Sequence, residues 1–227
     1  LGVVGERDPL AAARALPWEK IMEAGEAVAV ELNLSSGPPW SPWDSAVDGW
    51  FLLDTPASIF KAGKQNAVPF IMGANLGELT GPGMILMPWV IPGYVNLFAG
   101  ANKVGEKAYG YIFDHVPAGW KRDGAVAVHA MELPYVFGDL DYRSGLWPIV
   151  FFIAQSSGAK SPDPGLTDVD RRLSETMIKI WTNFARTGNP SVKGLVDWPT
   201  WDEATDRYLY ITESPEVRSG FSKIAQM

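Results

Sequence analysis

Apolar positions recur at helical spacing most clearly over Asp168–Thr187, where Leu173, Met177, Ile180, Trp181 and Phe184 form one stripe. Thr167 stands at the cap position, Asp170 follows three residues on, and Gly188 and Pro190 end the pattern. The spacing predicts a long amphipathic helix. A different rhythm marks Val68-Pro69-Phe70-Ile71-Met72-Gly73-Ala74-Asn75, a continuous apolar run bounded by turn residues. That is the pattern of a buried strand in an α/β sheet. Ala108-Tyr109-Gly110-Tyr111-Ile112-Phe113-Asp114-His115 reads as a second strand, closed by Pro117 and Gly119, and residues 207–212 read as the final one.

Weaker patterns fill the rest. Residues 8–32 carry Leu10, Ala13, Leu16, Ile21 and Met22 in two short helical stretches separated by Pro17. A Ser-, Gly-, Pro- and Trp-containing loop covers 33–44, and Val47-Asp48-Gly49 forms a turn before Trp50-Phe51-Leu52-Leu53. Residues 57–62 predict a short helix ending near Gly63. Residues 146–154 are apolar throughout and read as a buried helix, or more sharply as an apolar wall or lid. Strand and helix alternate, which argues an α/β fold, and no repeat or long linker divides 1–227 into separate domains.

Composition narrows the function more than the fold. A net charge of −7 leaves no basic surface to replace phosphate counterions, so nucleic acid is an unsuitable partner. The run 146–154 is too short to span a bilayer. Zero cysteines exclude disulfides and thiolate metal sites, and favour a reducing compartment such as the cytoplasm, or a secreted protein that needs no crosslinks. With two histidines and no close carboxylate cluster, zinc is not expected, and nothing calls for a cofactor. The start, Leu1-Gly2-Val3-Val4-Gly5, reads as a chain cut from something longer or a processed product.

The chemistry concentrates at Glu78 and His129. Glu78 lies just past the carboxyl end of the first predicted strand, where α/β sheets place functional groups. His129 follows the second strand in a loop of small residues, and histidine is the usual general base of nucleophilic catalysis. On pattern alone both retain a bland reading as solvated loop residues. Glu132 rivals Glu78 as the histidine's partner, though its place at a helix start favours a structural role through capping or the helix dipole. His115, ahead of Val116 and Pro117, reads as structural or exposed.

Five segments in order change those odds. They are residues 42–51 with Val47-Asp48-Gly49, the run Val68 to Glu78, the stretch His129-Ala-Met-Glu-Leu-Pro-Tyr-Val-Phe-Gly138, Trp181-Thr-Asn-Phe-Ala-Arg-Thr-Gly-Asn-Pro190, and Trp198-Pro-Thr-Trp-Asp202. Together they resemble the C-terminal part of the type-B carboxylesterases, the cholinesterase-like branch of the α/β-hydrolases. The resemblance implies a mostly parallel central sheet flanked by helices, hydrolysis of a small-molecule carboxylic ester, Glu78 as triad acid and His129 as triad base. It gives Glu132 a structural place and packs the helix end at 183–190 against the body.

Two departures accompany the resemblance. The family's Gly-x-Ser-x-Gly nucleophile elbow and His-Gly-Gly-Gly oxyanion loop belong to its N-terminal half, and neither motif occurs here. The serine is therefore expected on a missing or separate N-terminal segment, with the isolated chain inactive. The span from Glu78 to His129 is also shorter than the family's usual helical insert, reduced to a Gly-, Pro- and Met-rich stretch at 81–92 and a connector to Lys107. The alternative function is a catalytically inactive cholinesterase-like binding or adhesion module. Retention of both Glu78 and His129 argues against it.

Overall fold

Odd and even residues of the central strands face opposite ways, and each face carries its own core. In the computed structural model, which describes residues 1–31, 46–78 and 87–226, the sheet runs β1 (Phe70–Asn75), β2 (Ala108–Phe113), β3 (Arg207–Ile211), β4 (Glu216–Ser219) in that spatial order. The first three strands are parallel, with Phe70 opposite Ala108 and Asn75 opposite Phe113, and β4 returns antiparallel to β3. Ala74, Ala108, Ile112 and Tyr208 pack on one face with Phe98, Trp201 and Phe221. Tyr109, Phe113, Leu209 and Ile211 pack on the other with Trp120, Tyr135, Leu173 and Met177. This two-sided burial is what a parallel sheet requires.

The two parallel crossovers divide the helices between these faces. Between β1 and β2 the chain forms α4 (Met87–Lys103), whose Ile91 and Phe98 are buried in the first core. Between β2 and β3 come α5 (Ala118–Asp123), α6 (Leu133–Phe137), α7 (Trp147–Ala154) and α8 (Asp168–Thr187), which supply the second. Ahead of β1, α3 (Pro56–Ala62) is capped by Thr55 and stopped by Gly63 in the left-handed conformation. A Cβ at Gly100 would stand 2.7 Å from the Phe60 carbonyl, so a glycine is what lets α4 approach α3 so closely.

Residues 55–227 form one compact unit and 1–54 another. Within the latter, Asp8 caps α1 (Pro9–Arg14), Pro17 separates it from α2 (Trp18–Glu31), and the Asp48 carboxylate accepts from the N–H groups of Trp50, Phe51 and Leu52. The predicted loop at 33–44 and the part of the shortened connector at 79–86 lie outside the described residues.

α8 has the bounds its pattern predicts, closed by a capping box between Thr167 and Asp170. Four expectations need correction. β1 is half-buried rather than buried over its first four residues, because among the described residues it is the sheet's edge. The 207–212 strand is not the last, since β4 follows it with every residue exposed and hence no apolar alternation to read. α7 is only partly buried: Trp147, Val150 and Ala154 face the core while Ile149 and Phe152 are exposed. The connector before Lys107 is largely the helix α4, stabilised by the core it enters despite Pro92 within it. Among the described residues no helix is long and apolar enough to cross a membrane.

Candidate active site

The turn that ends β1 carries the first candidate side chain. Glu78 N–H donates to the Asn75 carbonyl at 3.1 Å, closing the turn, and the Glu78 side chain folds back so that Oε1 accepts from Asn75 N–H at 2.8 Å. Beyond α5 the chain returns as a loop whose Ala125, Ala127 and Val128 are buried. It lies directly against the turn. Gly77 N–H donates to the Ala127 carbonyl at 2.9 Å, and His129 N–H to the Glu78 carbonyl at 2.8 Å. A Cβ on Gly77 would stand 2.3 Å from Val126 Cγ2, so this approach needs glycine.

These bonds bring the two predicted residues together. His129 Nδ1 lies 2.7 Å from Glu78 Oε2. A carboxylate only accepts, so Nδ1 carries a proton, and in the neutral ring Nε2 keeps its lone pair, with no partner among the described residues. The histidine side chain is 56 % exposed and the glutamate 15 %, so the carboxylate is sheltered while the imidazole is open to solvent. The hydrogen bond that His129 donates to Glu78 raises the histidine's pKa above 6.5; burial opposes this and the charges of Glu78 and Glu132 add to it. Immediately after His129, Ala130 holds a left-handed φ of 67°, strained for a residue with a Cβ.

Glu132 does not bond His129. It sits at the N-cap of α6 without a side-chain capping bond, which corrects the expectation of a capping role. Its Oε2 accepts from Asn75 Nδ2 at 2.5 Å instead, and its burial raises its pKa. Asn75 is the residue that sequence reasoning missed. An asparagine at a strand end is a signal of turn chemistry, but its partners Val128 and Glu132 are far away in the chain.

The second histidine is a separate structure. His115 Nε2 lies 2.8 Å from Asp170 Oδ1, which also accepts from the Tyr135 hydroxyl at 2.8 Å. Asp170 Oδ2 accepts from the Thr167 N–H and hydroxyl. Burial disfavours the charged carboxylate, yet these donors outweigh it and hold the Asp170 pKa at about 2. A cleft of about 540 Å³, lined in part by His115, Lys121, Thr212 and Glu213, contains neither Glu78 nor His129. Among the described residues no group of His, Asp and Glu is placed to hold a metal ion.

A model of the carboxylesterase family matches residues 89–225, more than half of the chain and including His129. The chain belongs to the carboxylesterase family. Carboxylesterase 3 of Pongo abelii is 24 % identical over 274 aligned positions, covering 93 % of this chain and 46 % of that protein. The alignment is longer than the chain itself, so the relative carries residues within the matched span that this carboxylesterase-family chain lacks. Para-nitrobenzyl esterase of Bacillus subtilis (strain 168) is 34 % identical over 114 residues, half of this chain and 20 % of that one. A solved thermophilic PNB esterase superposes with a TM-score of 0.65 at 18 % identity, covering 92 % of this chain and 48 % of that structure. That likeness identifies the α/β-hydrolase fold, of which this chain spans about half.

Proposed function

We propose that this chain supplies the acid and the base of a serine-dependent carboxylic ester hydrolase. It would form the C-terminal part of a single α/β-hydrolase domain whose nucleophile and oxyanion donors lie outside these residues. The observation that carries the reading is the 2.7 Å contact from Glu78 Oε2 to His129 Nδ1, which leaves Nε2 unpartnered and outward. That is the tautomer a general base requires.

Nε2 takes the proton of a serine hydroxyl as its oxygen bonds to the ester carbonyl carbon, and Glu78 stabilises the imidazolium that forms. The imidazolium then gives that proton to the departing alkoxide, leaving an acyl-enzyme. A water molecule repeats the cycle and frees the acid. Oxyanion donors contribute roughly 10²–10³ in rate for each, so the isolated chain is expected to be inactive.

The test is hydrolysis of a chromogenic p-nitrophenyl ester by the complete protein with His129→Ala or Glu78→Gln. Both variants should fold and lose turnover. Turnover like that of the unsubstituted protein in the His129 variant would overturn the proposal.

A further inference from the structure

Asn75 holds both members of the Glu78–His129 pair, one with its backbone and the other with its side chain. Its N–H donates to Glu78 Oε1 at 2.8 Å, the oxygen that His129 does not use. Its Nδ2 donates to the carbonyl of Val128, the residue before His129, at 2.6 Å and to Glu132 Oε2 at 2.5 Å. One amide group therefore pins the loop on both sides of the histidine, at 128 and at 132. The residue is 1 % exposed, and its Oδ1 is buried with no partner among the described residues.

That orphaned oxygen is informative. An unsatisfied buried acceptor costs about 1–3 kcal/mol, so an apolar side chain would suit simple packing better at this position. Among the described residues the carboxamide uses only the two donors of its NH₂ group, and both run to the histidine loop. We propose that Asn75 is a positioning residue, which sets the Glu78–His129 geometry through its carboxamide donors. The proposal rests on the assignment of that pair as acid and base.

Its test uses imidazole NMR, because the chain has only two histidines and each reports separately. In the unsubstituted chain His129 should show a low-field Nδ1 proton and titrate above 6.5. Its absence there would defeat the pair itself, and with it the proposed function. Asn75→Ala should weaken or remove that proton and lower the His129 midpoint. Asn75→Asp keeps the shape and discards the donors. Its added carboxylate would by itself raise the midpoint, so a fall in this variant reports displacement.

Glu132→Gln keeps an acceptor for Asn75 and should retain the low-field proton. Its loss there would mean that the Glu132 charge sets the pair, which overturns the proposal. An unchanged proton and midpoint in Asn75→Ala, or a low-field proton kept intact in Asn75→Asp, would also overturn it. The His115 signal, buried against Asp170, reports whether each variant is folded. Its loss in both Asn75 variants would make Asn75 a packing residue. In the complete protein Asn75→Ala should lower kcat on the order of 10–100-fold with KM nearly unchanged.

Discussion

The chain contains two histidine–carboxylate pairs of almost equal length and opposite character. His129 meets Glu78 at 2.7 Å through Nδ1, and His115 meets Asp170 at 2.8 Å through Nε2. Side-chain exposure separates them: 56 % for His129 against 5 % for His115. Among the described residues the Glu78 pair has one donor from elsewhere, Asn75 N–H, and its histidine ring is largely exposed. The Asp170 carboxylate is saturated by His115, Tyr135 and both donors of Thr167. A short His–acid distance is therefore no signature of catalysis by itself. What distinguishes the two is whether the second ring nitrogen can reach a reacting atom.

Turnover should separate the two pairs most sharply. Glu78→Gln in the complete protein should lower kcat by roughly 10⁴-fold, since the amide supports the wrong histidine tautomer. His115→Gln should leave kcat within about twofold, measured well below its melting temperature, because that ring touches no reacting group. An equal loss in both variants would erase the distinction. The rate of the unsubstituted protein should also fall toward acid pH as His129 takes up its proton. The midpoint of that limb should lie above 6.5, because Glu78 raises the histidine's pKa.

Stability should respond in reverse. Asp170→Ala leaves His115 and Tyr135 buried without their acceptor and is expected to cost about 3–5 kcal/mol in urea unfolding. The carboxylate's pKa is held at about 2 against 3.8 for an unperturbed group. A depressed acid pKa contributes stability that is fully present above the unfolded value and is lost as pH falls through the folded one. Between about pH 4 and pH 2 the chain should therefore lose roughly 2 kcal/mol through this group. Urea midpoints at pH 5, 4, 3 and 2 check it against Asp170→Asn, which should lack that component. An identical acid slope in the variant would exclude Asp170 as its source.

The pairs also differ in how much of each the sequence makes legible. Asp170 and Thr167 belong to the capping pattern of α8, which local spacing states in full. Their bonds to His115 and Tyr135 cross the fold and leave no local trace. Glu78 and His129 are legible as positions after predicted strands and through the family resemblance, whereas Asn75 is not, because its partners stand 53 and 57 residues away. The same physics hides α4. Pro92 and Gly100 argue against a helix locally, but Gly100 is small because Phe60 packs against it, and Ile91 and Phe98 bury enough surface to prevail. β4 is hidden for the opposite reason: with each of its residues exposed, it has no buried face to alternate.

The smallest expected effect tests whether strain accompanies the open pair as saturation accompanies the closed one. Ala130, next to His129, holds φ at 67°, and a left-handed alanine costs roughly 1–2 kcal/mol. Ala130→Gly removes that strain, while the greater freedom of glycine in the unfolded chain takes back about 0.4–1 kcal/mol. The variant should be more stable by between about 0 and 1.6 kcal/mol, read as a small rise in the urea midpoint. A lower midpoint would mean that the alanine methyl packs favourably enough to offset its backbone. The strain would then be a by-product of packing and not a feature of the loop that presents His129.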